Sequence, residues 1–107
     1  MGLAMSNAAV TLEVSDQFAK LASEWKSLTR YMSNSAQMAT VWPYQQIIGL
    51  GQPAIPFILR ELERETDHWF WALEAISGEN PVSDEQAGNV DVMAQAWLAW
   101  GRQRGLI

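Results

Sequence analysis

Apolar residues return every three or four positions along most of this chain and every second position only once. Phe18, Leu21, Ala22, Trp25, Leu28, Thr29 and Met32 fall on one face at helical spacing, opposite Lys20 and Glu24. That pattern predicts an amphipathic helix over 15–32, with Ser15 or Asp16 placed to accept hydrogen bonds from its first amides. Ahead of it, Val10, Leu12 and Val14 alternate with Thr11 and Glu13 in the period of a strand, but no second run of that kind exists to pair with. Residues 1–14 are therefore expected to be mobile or extended.

Residues 33–42 are small and polar and carry few signals. Pro43 then sits where a first-turn proline belongs, followed by Tyr44, Ile47 and Ile48 and a stop at Gly49 and Gly51. Pro53 and Pro56 open a further helix with the stripe Ile55, Ile58, Leu59 and Leu62, ending near Glu65. Asp67 is placed to cap the next, whose core face is Trp69, Ala72, Leu73 and Ile76 and whose left-handed stop is Gly78. A loop follows over 79–88, with one turn started by Ser83 and Gln86 at capping-box spacing. Val90, Met93, Ala94, Trp97, Trp100 and Gly101 mark a final helix closed by Gly105. The pattern as a whole predicts an all-α fold of about five helices, with residues 15–107 as a single domain.

The segment Ile48-Gly49-Leu50-Gly51-Gln52-Pro53 is echoed by Ile76-Ser77-Gly78-Glu79-Asn80-Pro81, 28 residues on. With Ala54, Ile55, Pro56, Ile58, Leu59 and Leu62, the first copy resembles a HEAT-like helical repeat of the short type, over roughly residues 43–104. The resemblance implies a short α-α superhelix, or an irregular bundle, in which the helix at 15–32 caps an open end. It also implies binding to another macromolecule, by analogy of fold. The run His68-Trp69-Phe70-Trp71-Ala72-Leu73, with Gly78-Glu79-Asn80-Pro81-Val82 and Trp97-Leu98-Ala99-Trp100-Gly101, resembles a small uncharacterised bacterial protein family. That likeness implies membership and no activity.

Net charge is −5 over 107 residues, but residues 61–91 hold nine acids against Arg64 alone. A nucleic-acid surface needs gathered cations, and here Lys20, Lys26, Arg30, Arg60, Arg102 and Arg104 flank an acidic middle. Direct nucleic-acid binding is not expected; a solvated face or a basic protein partner suits the segment. No apolar run approaches the roughly 20 residues of a membrane span and no leader pattern opens the chain, so a cytoplasmic protein without membrane contact is expected.

With no cysteine and one histidine, neither a zinc site nor a thiol nucleophile can be assembled from the usual ligands. His68 has Glu65 and Asp67 near it in sequence, but a polar residue in a first helical turn explains it. Ser77-Gly78 reads as a helix stop and not a nucleophile elbow, and Gly49-Leu50-Gly51 lacks the lysine and spacing of a phosphate loop. Asp84/Glu85 and Glu61/Glu65 read as solvated charge. No catalytic residue, metal or cofactor is expected, and the chain is not read as an enzyme.

Six tryptophans exceed what composition explains. Trp25, Trp69, Trp97 and Trp100 lie on the apolar stripes, and Trp42 is placed to staple the helix opened by Pro43. Trp71 falls nearly opposite Trp69, Ala72, Leu73 and Ile76 at 100° per residue, and Phe57 is likewise off its own stripe. Either the helix at 68–77 is central and packed on both sides, the preferred reading, or Trp71 and Phe57 join Glu61, Glu63 and Glu74 in a partner-binding patch, tryptophan being enriched at interface hot spots. The function expected is a protein-protein interaction module, a small acidic adaptor or inhibitor of a basic partner, with self-association into a homodimer as a variant. The alternatives are an antitoxin or phage-type inhibitor, and a small-molecule binder or enzyme built on a pocket around His68.

Overall fold

The computed structural model describes residues 7–107, with side chains from Thr11 onward. It is all-α, with no strand among the described residues: α1 (Asn7–Thr29), α2 (Ser35–Thr40), α3 (Trp42–Leu50), a 3-10 turn (Gln52–Ala54), α4 (Ile55–Arg64), α5 (Phe70–Ser77) and α6 (Val90–Gln103). The described part of the fold is a small helical bundle in which α1 packs on α3 and the 3-10 turn, α3 lies beside α5, and α4 lies beside α6.

The first departure from expectation is the length of α1. Residues 7–14 are helical and not extended, while residues 1–6 lie outside the described residues. Once a helix is nucleated, each further residue adds a hydrogen bond at little cost, and the β-branched residues at 10, 11 and 14 oppose this only by tenths of a kcal/mol each. The alternation of apolar side chains there does not mark a buried face, since Leu12 is 65% exposed. Ser15 and Asp16 consequently lie inside the helix and cap nothing. Phe18, Ala22, Trp25 and Thr29 form its buried face, and the Thr29 hydroxyl donates to the Trp25 carbonyl at 2.8 Å. Leu28, assigned to the same stripe, is exposed.

A sixth helix, α2, occupies the stretch read as a connection. Asn34 starts it: its side-chain oxygen accepts from the amides of Ala36 and Gln37 at 2.9 and 3.2 Å, answering two of the orphan donors of a first turn. Buried Met38 fixes it to α1, its carbonyl accepting from the Trp25 indole at 2.8 Å. Trp42 does not staple α3; it is 64% exposed.

The remaining stripes are as read except that Ile48, Ile76, Val90 and Met93 are only half-buried. Ile55, Ile58, Leu59 and Leu62 are buried along α4, and Trp69, Ala72 and Leu73 along α5, which stops at Gly78 in the left-handed region (φ 74°). Trp25, Trp69, Trp97 and Trp100 are core residues. Trp69 is enclosed by Trp25, Phe18 and Tyr44, with ring centroids 4.4, 5.6 and 6.1 Å away, distances at which offset and tilted aromatic pairs attract. Its indole N–H is buried without an acceptor among the described residues. The Leu59 side chain of α4 packs so closely on α6 that a Cβ on Gly101 would lie 2.6 Å from Leu59 Cδ1.

Candidate binding cleft

The start of α5 determines where the candidate site lies. Asp67, expected to cap this helix, uses its carboxylate on the His68 amide instead, at 2.8 Å, and the residue at the cap position is Trp69, which has no oxygen to offer. The cap comes from α3. Tyr44, fully buried, turns its hydroxyl to α5, where it accepts from the Ala72 amide at 2.9 Å and donates to the His68 carbonyl at 3.1 Å. Burial pushes the phenol well above its ordinary pKa, and the nearby Asp67 charge acts in the same direction, against the Ala72 amide. The hydroxyl therefore keeps the proton it donates. At the other end of α5, Gln52 donates to the Ile76 carbonyl at 2.9 Å. Both ends of a helix of 8 residues are thus held by side chains from outside it.

Pinned this way, α5 buries one face and leaves the other open. Phe70, Trp71, Glu74 and Ala75 form one wall of a cleft of about 930 Å³. The opposite walls come from Ser35, Ala36 and Ala39 of α2 and from Val90 and Met93 at the start of α6. His68 and Tyr44 lie at its α3 side, and Gly78 and Gly88, at the two ends of the connection between α5 and α6, at its lip. That connection contains the turn expected from Ser83, whose amide donates to the Gln86 side chain at 2.9 Å. No lysine or arginine lines the cleft, and Glu74 is its one carboxylate.

The residues proposed from sequence as one patch are separated. Trp71, 56% exposed, and Glu74 lie together on the cleft wall, one turn apart. The preferred reading of α5 as packed on both sides is therefore corrected: nothing among the described residues covers Trp71. Phe57 is half-buried elsewhere, stacked on Phe18 at 6.5 Å with the Arg60 guanidinium over its ring. Glu61 faces inward to Lys26 of α1 and to Arg64. Partial burial raises its pKa, but the hydrogen bonds from Arg64 and Lys26 outweigh this and hold it below the ordinary value. Burial likewise works against the Lys26 ammonium, which its bonds to Glu61 and Glu65 hold above the usual lysine value. Glu63 pairs with Arg102 of α6 at 2.9 Å, and Glu79 with Arg104.

Sequence reasoning missed the α2 and α6 walls. Asn34, with Gln37 three residues on, was the available signal for α2; nothing local places α2 opposite α5. Among the described residues no three His, Asp or Glu side chains gather as a metal site would require, and no helix is long and apolar enough to cross a membrane. Compared with protein-family models, curated proteins and solved structures, the chain matches none.

Proposed function

We propose that this chain is a protein-recognition module and that its contact face is the cleft between α2, α5 and the start of α6, with Trp71 as anchor. The observation that carries the reading is Trp71 itself: a tryptophan 56% exposed on the wall of a concave surface, on a helix fixed at both ends. Such a side chain gains most from enclosure by a partner, and rigid mounting lowers the ordering cost of association. The HEAT-like reading is retained beside it. The lateral pairing of α3 with α5 and of α4 with α6 is what two stacked hairpins require, and the Tyr44 hydroxyl meets the residue 28 positions on, the spacing of the sequence echo.

Glu61 and Glu63 are not part of the proposed face, since reversing their charge breaks pairs that join α1, α4 and α6. The test is affinity capture from the native cell with the wild-type chain, Trp71→Ala and Glu74→Lys, each first verified by circular dichroism. Loss of the captured protein in both variants with helicity intact is the expected result; equal recovery by Trp71→Ala refutes the reading. A captured protein that is a second copy identifies the self-associating variant. The small-molecule reading is favoured by one observation, that His68 lines the cleft, whose volume lies in the range of ligand pockets. It predicts a retained metabolite or a thermal shift with small ligands that is lost in His68→Ala and in Trp71→Ala.

A further inference from the structure

The five glutamates between residues 61 and 79 are Glu61, Glu63, Glu65, Glu74 and Glu79. Four of them are paired with the chain's own cations: Glu61 and Glu65 with Lys26, Glu63 with Arg102, Glu79 with Arg104. Glu74 alone has no ion-pair partner among the described residues, and it stands in the cleft from which lysine and arginine are missing. It lies in the last turn of α5, at the negative end of the helix dipole. Phe70 and Trp71 precede it by four and three residues, so the carboxylate and both rings share one side of the helix. A negative charge beside aromatic faces attracts an organic cation through both the charge and the ring quadrupole. Of the rest of the lining, Ala36, Ala39, Ala75, Val90 and Met93 are apolar and suit apolar neighbours of such a cation, while Ser35, Tyr44 and His68 are its polar members.

From this complementarity we infer that the cleft binds a lysine or arginine side chain of the protein partner, carried between apolar residues, with the cation between Trp71 and Glu74. The inference rests on the reading of the cleft as the recognition face. It gives a role to the one glutamate on this wall, which has no ion-pair partner among the described residues, whereas Glu61, Glu63, Glu65 and Glu79 are neutralised internally.

The test is selection of random heptapeptides displayed on phage against the immobilised full chain, followed by titration of the most enriched synthetic peptide. Enrichment of lysine or arginine flanked by apolar residues is expected, with binding of the chosen peptide weakened about three- to tenfold by Glu74→Gln and by replacing its cation with norleucine. Trp71→Leu, which keeps an apolar side chain, should lose the preference for lysine over norleucine. Peptides that need Trp71 but carry no excess of basic residues, or that bind Glu74→Gln as tightly as wild type, overturn this inference and leave the cleft reading standing. Peptides retained in full by Trp71→Ala overturn both. Displacement of the peptide by n-butylammonium at equal concentration shows a free amine to be the ligand and overturns the assignment to a partner side chain.

Discussion

Replacing Tyr44 with phenylalanine removes one oxygen and leaves the ring among Trp25 and Trp69, so the variant isolates the cap that α3 supplies to α5. Two losses follow. The first turn of α5 loses a capping acceptor, a change that costs about 1 kcal/mol in helices generally. The Ala72 amide is left as a buried donor without a partner, which costs about 1–3 kcal/mol. The two overlap, because they concern the same amide, and a sum of about 2–3 kcal/mol is expected. For a domain of this size each kcal/mol moves Tm by about 4–8 °C, so the midpoint should fall by about 10–20 °C. Urea unfolding followed by circular dichroism gives the free energy, and amide hydrogen exchange at Ala72 gives the site. Protection at Ala72 should drop by more than the global loss of stability explains. Tyr44→Leu, which forfeits the ring as well, should be less stable still. If Tyr44→Phe unfolds within about 1 kcal/mol of wild type, half the smallest expected loss, the hydroxyl does not hold the helix and the origin of the cleft wall must be sought elsewhere.

Three further outcomes are expected. Trp69→Ala should cost about 3–5 kcal/mol through cavity formation, whereas Trp71→Ala should cost less than about 1 kcal/mol because its ring is mostly in solvent; comparable losses by urea titration would contradict the burial assigned to the two. Gly101→Ala should destabilise by about 1 kcal/mol, the crowding against Leu59 (about 1–3 kcal/mol) exceeding the roughly 1 kcal/mol that alanine gains in a helix; a gain in Tm would mean that Leu59 yields freely. Glu61, with its pKa held below 4.5 in the fold, contributes stability above pH 4.5 that is lost as pH falls through the lowered value. Lys26, held above 10.5, contributes below that pH and loses its contribution as pH rises through the raised value. Stability curves should therefore fall on the acid side less steeply in Glu61→Gln than in wild type.

The parts of the fold that were legible are those that local rules determine. The α4 stripe, the buried face of α5 and the left-handed stop at Gly78 follow from periodicity and backbone sterics, and the structure has them where the sequence places them. The N-terminal half of α1 was misread because alternation of apolar residues is informative only where one face is buried, and Leu12 faces solvent. The candidate site was half legible. Trp71 stands off the stripe by simple geometry, but whether anything covers it depends on where α2 and α6 pass, and no local signal carries that. The same holds for charge: Lys26 meets Glu61 and Glu65 across 35 and 39 residues, and Arg104 meets Glu79 across 25. Composition shows an acidic segment, and only the tertiary arrangement separates Glu61, Glu63, Glu65 and Glu79, which pair internally, from Glu74, Asp84, Glu85 and Asp91, which form no ion pair among the described residues.

Trp25 and Trp69, with centroids 4.4 Å apart and ring planes inclined at 45°, are also two strong chromophores held at a fixed angle. Transition dipoles that close and that skewed mix into a coupled pair, whose far-ultraviolet dichroism is a couplet of opposite lobes laid over the signal of the helices. Helical content read from the amplitude at a single wavelength is thereby biased by two side chains. The part of the couplet that comes from Trp25 and Trp69 is lost when α1 and the start of α5 separate even if both remain helical, whereas the part from Trp97 and Trp100, 5.1 Å apart on α6, stays.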